Sequence, residues 1–274
     1  MTADSTARLA ATYAAYGLAR RPHRVPRAQP PSLIEAEYAA QLVAMVGEWR
    51  AVATQAIRLD DVTSVPGKAR RVRDVVTSTV RRTQTIAERT ARRTVDHSKR
   101  QVARQTKAAL GVEVPAYPPG IEPRIQAFIV ENVAAMQKLG NATSDALEST
   151  LARAYADGWG ADELAEELTR RFGIAERSAR GIARDQMQRL YAQVTRMQHE
   201  DLGVTVFRWH TQQDGKVRSS HAVKDGRVFP YKGSRAPSFL PGEEPNCRCW
   251  AEPSFEEIKA SARALAGKGR TRGR

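Results

Sequence analysis

The two cysteines of the chain, Cys247 and Cys249, are separated by one residue and lie in a stretch, Val204 to Pro253, that abandons the helical period of everything before it. The same stretch holds His210 and His221, Trp209 and Trp250, and two Asp-Gly turns at Asp214-Gly215 and Asp225-Gly226. A Pro/Gly-rich run then leads into Asn246-Cys247-Arg248-Cys249. Turn residues, aromatics and soft ligands concentrated in this way predict one compact unit that the rest of the chain carries.

Ahead of that unit the pattern is helical. A short helix is expected over residues 1–20, then a proline-rich basic linker, RRPHRVPRAQPP. Ser32 with Glu35 three residues on forms a capping-box pair, and Leu33, Tyr38, Leu42, Met45, Val46 and Trp49 recur at helical spacing. Ser64-Val65-Pro66-Gly67 punctuates the chain. Lys68 to Leu110 predicts a long helix with Val72, Val75, Val76, Val80, Ile86, Ala87, Val95 and Val102 on its apolar stripe. The run GVEVPAYPPG, residues 111–120, reads as a boundary. Beyond it the spacing predicts four helices: one from Glu122-Pro123 closed by Gly140, one capped by Asn141 and ending at Gly158, one from Asp162 to Phe172, and one from Glu176 to Leu202-Gly203.

After Gly203 the period changes to two. Val204 to His210 predicts a half-buried strand, Arg227-Val228-Phe229 a second, Tyr231 to Asn246 an extended loop, and Phe255 to Ala266 a helix. The tail GKGRTRGR reads as disordered. The expected fold class is mainly α with a small α+β C-terminal module and long basic helices in the N-terminal region. The expected divisions are a basic helical region over 1–110, a linker over 111–120, a domain over 121–255 and a basic tail over 256–274.

Charge narrows the partners. The 274 residues carry 44 Lys and Arg against 30 Asp and Glu, a formal charge of +14, which implies an anionic partner: nucleic acid, an acidic protein surface or a membrane face. No apolar run approaches the ~20 residues needed to span a bilayer. The N-terminus shows no basic region followed by an apolar one, so a secretory signal is not expected, and two cysteines one residue apart fit a reducing setting. The basic residues of the 68–110 helix form either a solvated face or a contact with nucleic acid or protein, through Arg81, Arg82, Arg92, Arg93 and Arg100.

Three kinds of chemistry fit the C-terminal unit. His221, Cys247 and Cys249 are soft and borderline ligands suited to zinc, with His210, Asp214 or Glu244 as a fourth. Cys247 or Ser220 with His221 and an acid such as Asp214 or Asp225 has the residue types of a nucleophilic triad, without a nucleophile elbow around them. Structurally, Trp209, Trp250, Phe229 and Phe239 would form a small core closed by the Cys-Arg-Cys segment, leaving Arg208, Arg218, Arg227 and Arg248 for an acidic partner.

The order of these residues resembles the phage Mu F-like head morphogenesis family, the minor head proteins of tailed bacteriophages. The likeness rests on Arg184-Asp185-Gln186, Trp209-His210-Thr211, Asp214, Val217-Arg218, His221, Asp225-Gly226, Phe229, Pro241-Gly242 and Asn246-Cys247-Arg248-Cys249, and covers roughly Ile121 to Pro253. It implies a prohead component present in few copies, in the inner head of the virion and in the host cytoplasm during assembly. The implied partners are portal, scaffold and major capsid proteins and packaged DNA, with no membrane. Relatives in actinobacterial phages are often labelled capsid maturation proteases. The resemblance also implies a metal site at His221, Cys247 and Cys249. Many relatives carry a histidine just before the Asn-Cys-Arg-Cys run, where this chain has Glu243-Glu244-Pro245, so that Glu244 would substitute.

Overall fold

The computed structural model describes residues 25–58, 65–111 and 118–271, with positions 7, 10, 11, 13 and 14. The expected helix over 1–20, most of the 111–120 linker and Ser64 fall largely outside these residues. Four long helices come first: α1 Ser32–Arg58, α2 Val65–Leu110, α3 Ile121–Asp157 and α4 Ala161–Asp201. Then follow β1 Val206–His210, the single turn α5 Ser219–Ala222, β2 Val228–Pro230, β3 Trp250–Pro253 and α6 Glu256–Thr271. No helix among the described residues is long and apolar enough to cross a membrane. The mainly helical class with a small C-terminal α+β module is the one the periodicity predicts. The chain forms two compact units: Leu33–Arg92 with Ile125–Gln186, and Met1–Ser32 with Arg93–Arg124 and Met187–Arg274.

In the Leu33–Arg92 and Ile125–Gln186 unit, Tyr38, Leu42, Met45, Val46 and Trp49 bury one face of α1, and Val72, Val76 and Val80 one face of α2. Leu33, read as part of the same stripe, is 69% exposed, because the helical turn places it on the side opposite Leu42 and Trp49. Threonines share the buried face of α2, which the apolar stripe did not disclose. Trp49 Nε1 donates to Thr79 Oγ1 at 2.6 Å, and Thr79 Oγ1 bonds back to Val75 O at 2.9 Å. Tyr38 Oη donates to Asn132 Oδ1 at 2.6 Å, while Asn132 Nδ2 donates to Phe128 O at 2.7 Å. The indole, the phenol and the amide of these three side chains thus each find a partner, as burial demands.

Two predicted helix ends are absent. α3 runs straight through Gly140 and Asn141, and α4 through Gly173. A mid-helix glycine costs only ~1 kcal/mol, less than the apolar burial on either side supplies. At Gly140 the missing side chain has a use: a Cβ there would meet Val76 Cγ1 at 2.3 Å and Trp49 at 3.5 Å. Glycine therefore lets α3 approach α2 and the indole closely. Asn141 is not a cap; it accepts from Gln137 Nε2 at 2.8 Å, one turn back on the same helix.

The other unit holds the sheet, of order β2-β1-β3 with both pairings antiparallel. Phe207 lies opposite Phe229, and Trp209 opposite Ala251. Strand β3 has no strong sequence signal: Ala251 and Glu252 are poor β formers, and β1 alone supplies its partner backbone. Phe207, Trp209, Tyr231, Leu240, Phe255 and Ile258 form the core of the module with both cysteines. Phe239, placed in that core by the sequence reading, is 54% exposed. Trp250 lies half-buried and stacks on His210 with ring centroids 5.6 Å apart. Its position in β1's partner strand sends it to the face away from Trp209. The tail also differs from expectation, since α6 continues to Thr271 through two glycines.

Elsewhere in this unit, Ser98 Oγ donates to Gln198 Oε1 at 2.6 Å and Gln101 Nε2 to Tyr191 Oη at 3.0 Å, joining α2 to α4. His199 is fully buried, its Nδ1 2.6 Å from the Tyr231 hydroxyl. Burial pushes the imidazole down to about 3, so it is neutral in the folded chain at any mild pH. The unfolded chain binds a proton there below ~6.5. Stability therefore falls as pH drops below that value, by ~1.4 kcal/mol per unit, or ~2 kcal/mol between pH 6.5 and 5. Urea unfolding at pH 7 and pH 5 should show this difference, and His199→Gln should flatten it; an unchanged pH slope in the variant would show that His199 is not its source.

Candidate metal centre

Three short pieces of chain build the site. The first is α5, whose turn is set by the extended Arg218 and by the His221 N–H bonded to Arg218 O at 2.9 Å. It points His221 inward, 3% exposed. The second is the loop before β3. Gly242 there has φ +86, and a Cβ would meet Ala192 Cβ at 2.7 Å and Gln188 O at 3.2 Å, so only glycine fits. Asn246 takes φ 57, a left-handed position asparagine tolerates. The third is the Cys-Arg-Cys run, whose alternation puts both thiols on one side and Arg248 on the other.

The thiols converge on one nitrogen. Cys247 Sγ and Cys249 Sγ each lie 3.5 Å from His221 Nδ1, and ligand atoms of the three residues fall within 4.8 Å of one another. Glu244 hydrogen-bonds the other ring nitrogen, Nε2. The Gly242 N–H donates to Cys247 Sγ at 3.4 Å. Trp209 closes one wall, edge-on to His221 at 5.4 Å, with Lys224 Nζ 4.7 Å from its ring centroid. The hydrogen bond from the Cys249 thiol, aided by backbone N–H groups, brings the Cys247 thiol down to about 5. That same bond and burial push the Cys249 thiol up. One sulfur of the pair is thus ready to serve as a thiolate.

The donor set fits zinc. Tetrahedral zinc with ~2.3 Å bonds to sulfur and ~2.0 Å to nitrogen places such ligands ~3.5 Å apart, the separation found at both thiols. Of the residues expected as a fourth ligand, none joins the group. Glu244 sits on the far side of the imidazole, where it orients the ring and fixes its tautomer, as carboxylates behind metal-binding histidines do. Asp214 accepts two bonds from Arg248, both 2.7 Å, and is held below the usual carboxylate range by that guanidinium. His210 lies on the opposite face of β1, 3.2 Å from Glu252. The alternation of a strand separates it from Trp209 and the thiols.

The nucleophile candidates separate in the same way. Ser220 is exposed, and both nitrogens of His221 already face other groups. Asp225 accepts from Thr211 N at 2.7 Å and Gln213 Nε2 at 2.8 Å, tying the α5 loop to the end of β1. Sequence reasoning did not identify the Arg218 bond to Pro245 O, at 2.6 Å, or the Arg248–Asp214 clamp. Their signal was present only as arginines beside loop prolines and acids.

Among the basic helix residues, Arg81 and Arg100 are exposed. Arg82 pairs with Glu48, and Arg92 with Glu88 at 3.0 Å on its own helix, so part of that charge is compensated within the fold. Arg93 is exposed and engaged by neighbours.

Residues 145–252, which contain the whole cluster, match the family described as Phage Mu protein F like protein. A protein of Haemophilus influenzae described as uncharacterized is 30% identical over 159 residues, covering 57% of this chain. The chain spans 36% of that relative's length. No solved structure matches.

Proposed function

We propose, from the match of residues 145–252 to the phage Mu F-like family, that the chain is a head morphogenesis protein of a tailed bacteriophage. It acts as a minor capsid component in prohead assembly, near the portal or the inner capsid surface. The single observation behind this reading is that the matched segment carries the buried His221, Cys247 and Cys249 cluster complete. Those three residues would hold zinc, and the ion would supply cross-links between chain segments far apart in sequence. Glu244, Gly242 and Trp209 position and shield them. The module is then a rigid docking unit. Portal, scaffold and major capsid proteins are the proposed partners. The exposed Arg81 and Arg100 of α2 offer contacts to packaged DNA.

A second reading, a capsid maturation protease, is favoured by one feature: Cys247, His221 and Glu244 stand in the order of a nucleophile, a base and its orienting acid. Against it, Cys247 is 3% exposed and Cys249 shares the same nitrogen. Both readings meet one experiment. Co-expression with the portal, scaffold and major capsid proteins of its own phage should give proheads that contain this chain and full-length capsid protein. Its absence from purified proheads would sink the assembly reading. Shortened scaffold or capsid products that vanish in Cys247→Ala would establish the protease instead.

A further inference from the structure

Strand β2 is an edge of the sheet, with β1 on one side and no strand on the other among the described residues. Its register with β1 decides which backbone groups are engaged. Trp209 N donates to Arg227 O at 2.8 Å and Tyr231 N to Thr205 O at 3.0 Å, and Phe207 lies opposite Phe229 between them. Bonded positions alternate along an antiparallel pair. Phe229 therefore faces β1, and Val228 turns its N–H and C=O to the open side.

A groove of about 460 Å³ lies here, lined by Val206, Arg227, Val228, Phe229, Pro230 and Arg235. Val206, Val228 and Pro230 belong to one face of the sheet, and Arg227 and Phe229 to the other. A groove reached from both faces of a strand runs along its rim. Val228 is 48% exposed. The Arg227 guanidinium lies 5.8 Å from the Phe229 ring centroid, and Arg235 is exposed. Neither arginine meets a carboxylate among the described residues.

We propose that this rim docks an extended acidic peptide segment of another protein. The segment adds a strand to β2 through the Val228 backbone, sets an apolar side chain against Val206 and Val228, and pairs carboxylates with Arg227 and Arg235. Nucleic acid would use the arginines but leave the apolar floor and the free amide unmatched; an acidic strand satisfies all three. The site stands apart from the thiol cluster and does not depend on the head-assembly reading.

The probe is a labelled eight-residue peptide alternating Glu and Val, titrated by fluorescence anisotropy against the full chain. Binding should saturate and weaken at least ~tenfold, about 1.4 kcal/mol, in the Arg227→Glu/Arg235→Glu variant, whose circular dichroism should match wild type. The same peptide with every backbone amide N-methylated should bind at least as weakly, since neither of its edges can then form a ladder with Val228. Arg153→Glu/Arg263→Glu, at exposed positions outside the groove, should leave binding unchanged. Equal weakening in that control, undiminished binding of the methylated peptide, or a DNA oligonucleotide that binds through Arg227 and Arg235 while the peptide does not, would each overturn the proposal.

Discussion

Purified chain should carry one zinc ion, and a strong chelator should remove it and collapse the thermal midpoint of the C-terminal module. Cys247→Ser, Cys249→Ser and His221→Ala should each produce the same loss without chelator. The size of the effect follows from where the ligands come from. His221 sits on a four-residue turn and the cysteines in a loop, segments with little regular structure of their own. An ion that joins such segments contributes its binding energy to folding, ~10–16 kcal/mol for structural zinc in small peptides, and less here because Phe207, Trp209 and Phe255 already form a core.

Glu244 separates ligation from positioning. Its carboxylate bonds Nε2, whereas the sulfurs face Nδ1. Glu244→Gln should therefore keep one metal per chain while lowering affinity ~10–100-fold. Cobalt substituted for zinc should give the same absorption spectrum in wild type and Glu244→Gln. A changed spectrum would make Glu244 a ligand. Metal-free protein that melts like metal-loaded protein would remove the site from the account of folding altogether.

The second large effect is expected at Trp49→Ala, which should cost ~3–5 kcal/mol. The indole is fully buried, and its Nε1 donates to Thr79 at 2.6 Å. Truncation leaves a cavity next to Gly140, which has no side chain to move into it. Thr79 keeps its bond to Val75 O, so the loss is chiefly one of packing. Urea unfolding should show a lower midpoint with an unchanged slope. A loss below ~1.5 kcal/mol, the range of volume-conserving core swaps, would show that the unit does not depend on the indole.

Much of this architecture was legible in local pattern. The stripe from Tyr38 to Trp49 is buried where helical spacing put it, and Val206 to His210 is a strand whose alternation hides Phe207 and Trp209. The helix ends were not legible. Gly140 and Gly173 carry the usual stop signal, and only the packing of α3 and α4 shows that helix continues through them. Strand β3 was invisible for the converse reason, since Ala251 and Glu252 become strand only because β1 is there to pair with them.

The site divides along the same line. His221, Cys247 and Cys249 were identifiable as a ligand set because their chemistry is intrinsic to the side chains. Which acid or histidine accompanies them was not, because His210, Asp214 and Glu244 are all close in sequence. Strand alternation sends His210 to the other face, Arg248 captures Asp214, and the turn at α5 presents Nε2 to Glu244. The amino-acid order by itself thus determined helix content, charge and the donor atoms on offer. Tertiary structure alone decided which donors meet, because long-range pairing and the direction of each side chain depend on neighbours that lie far away along the chain.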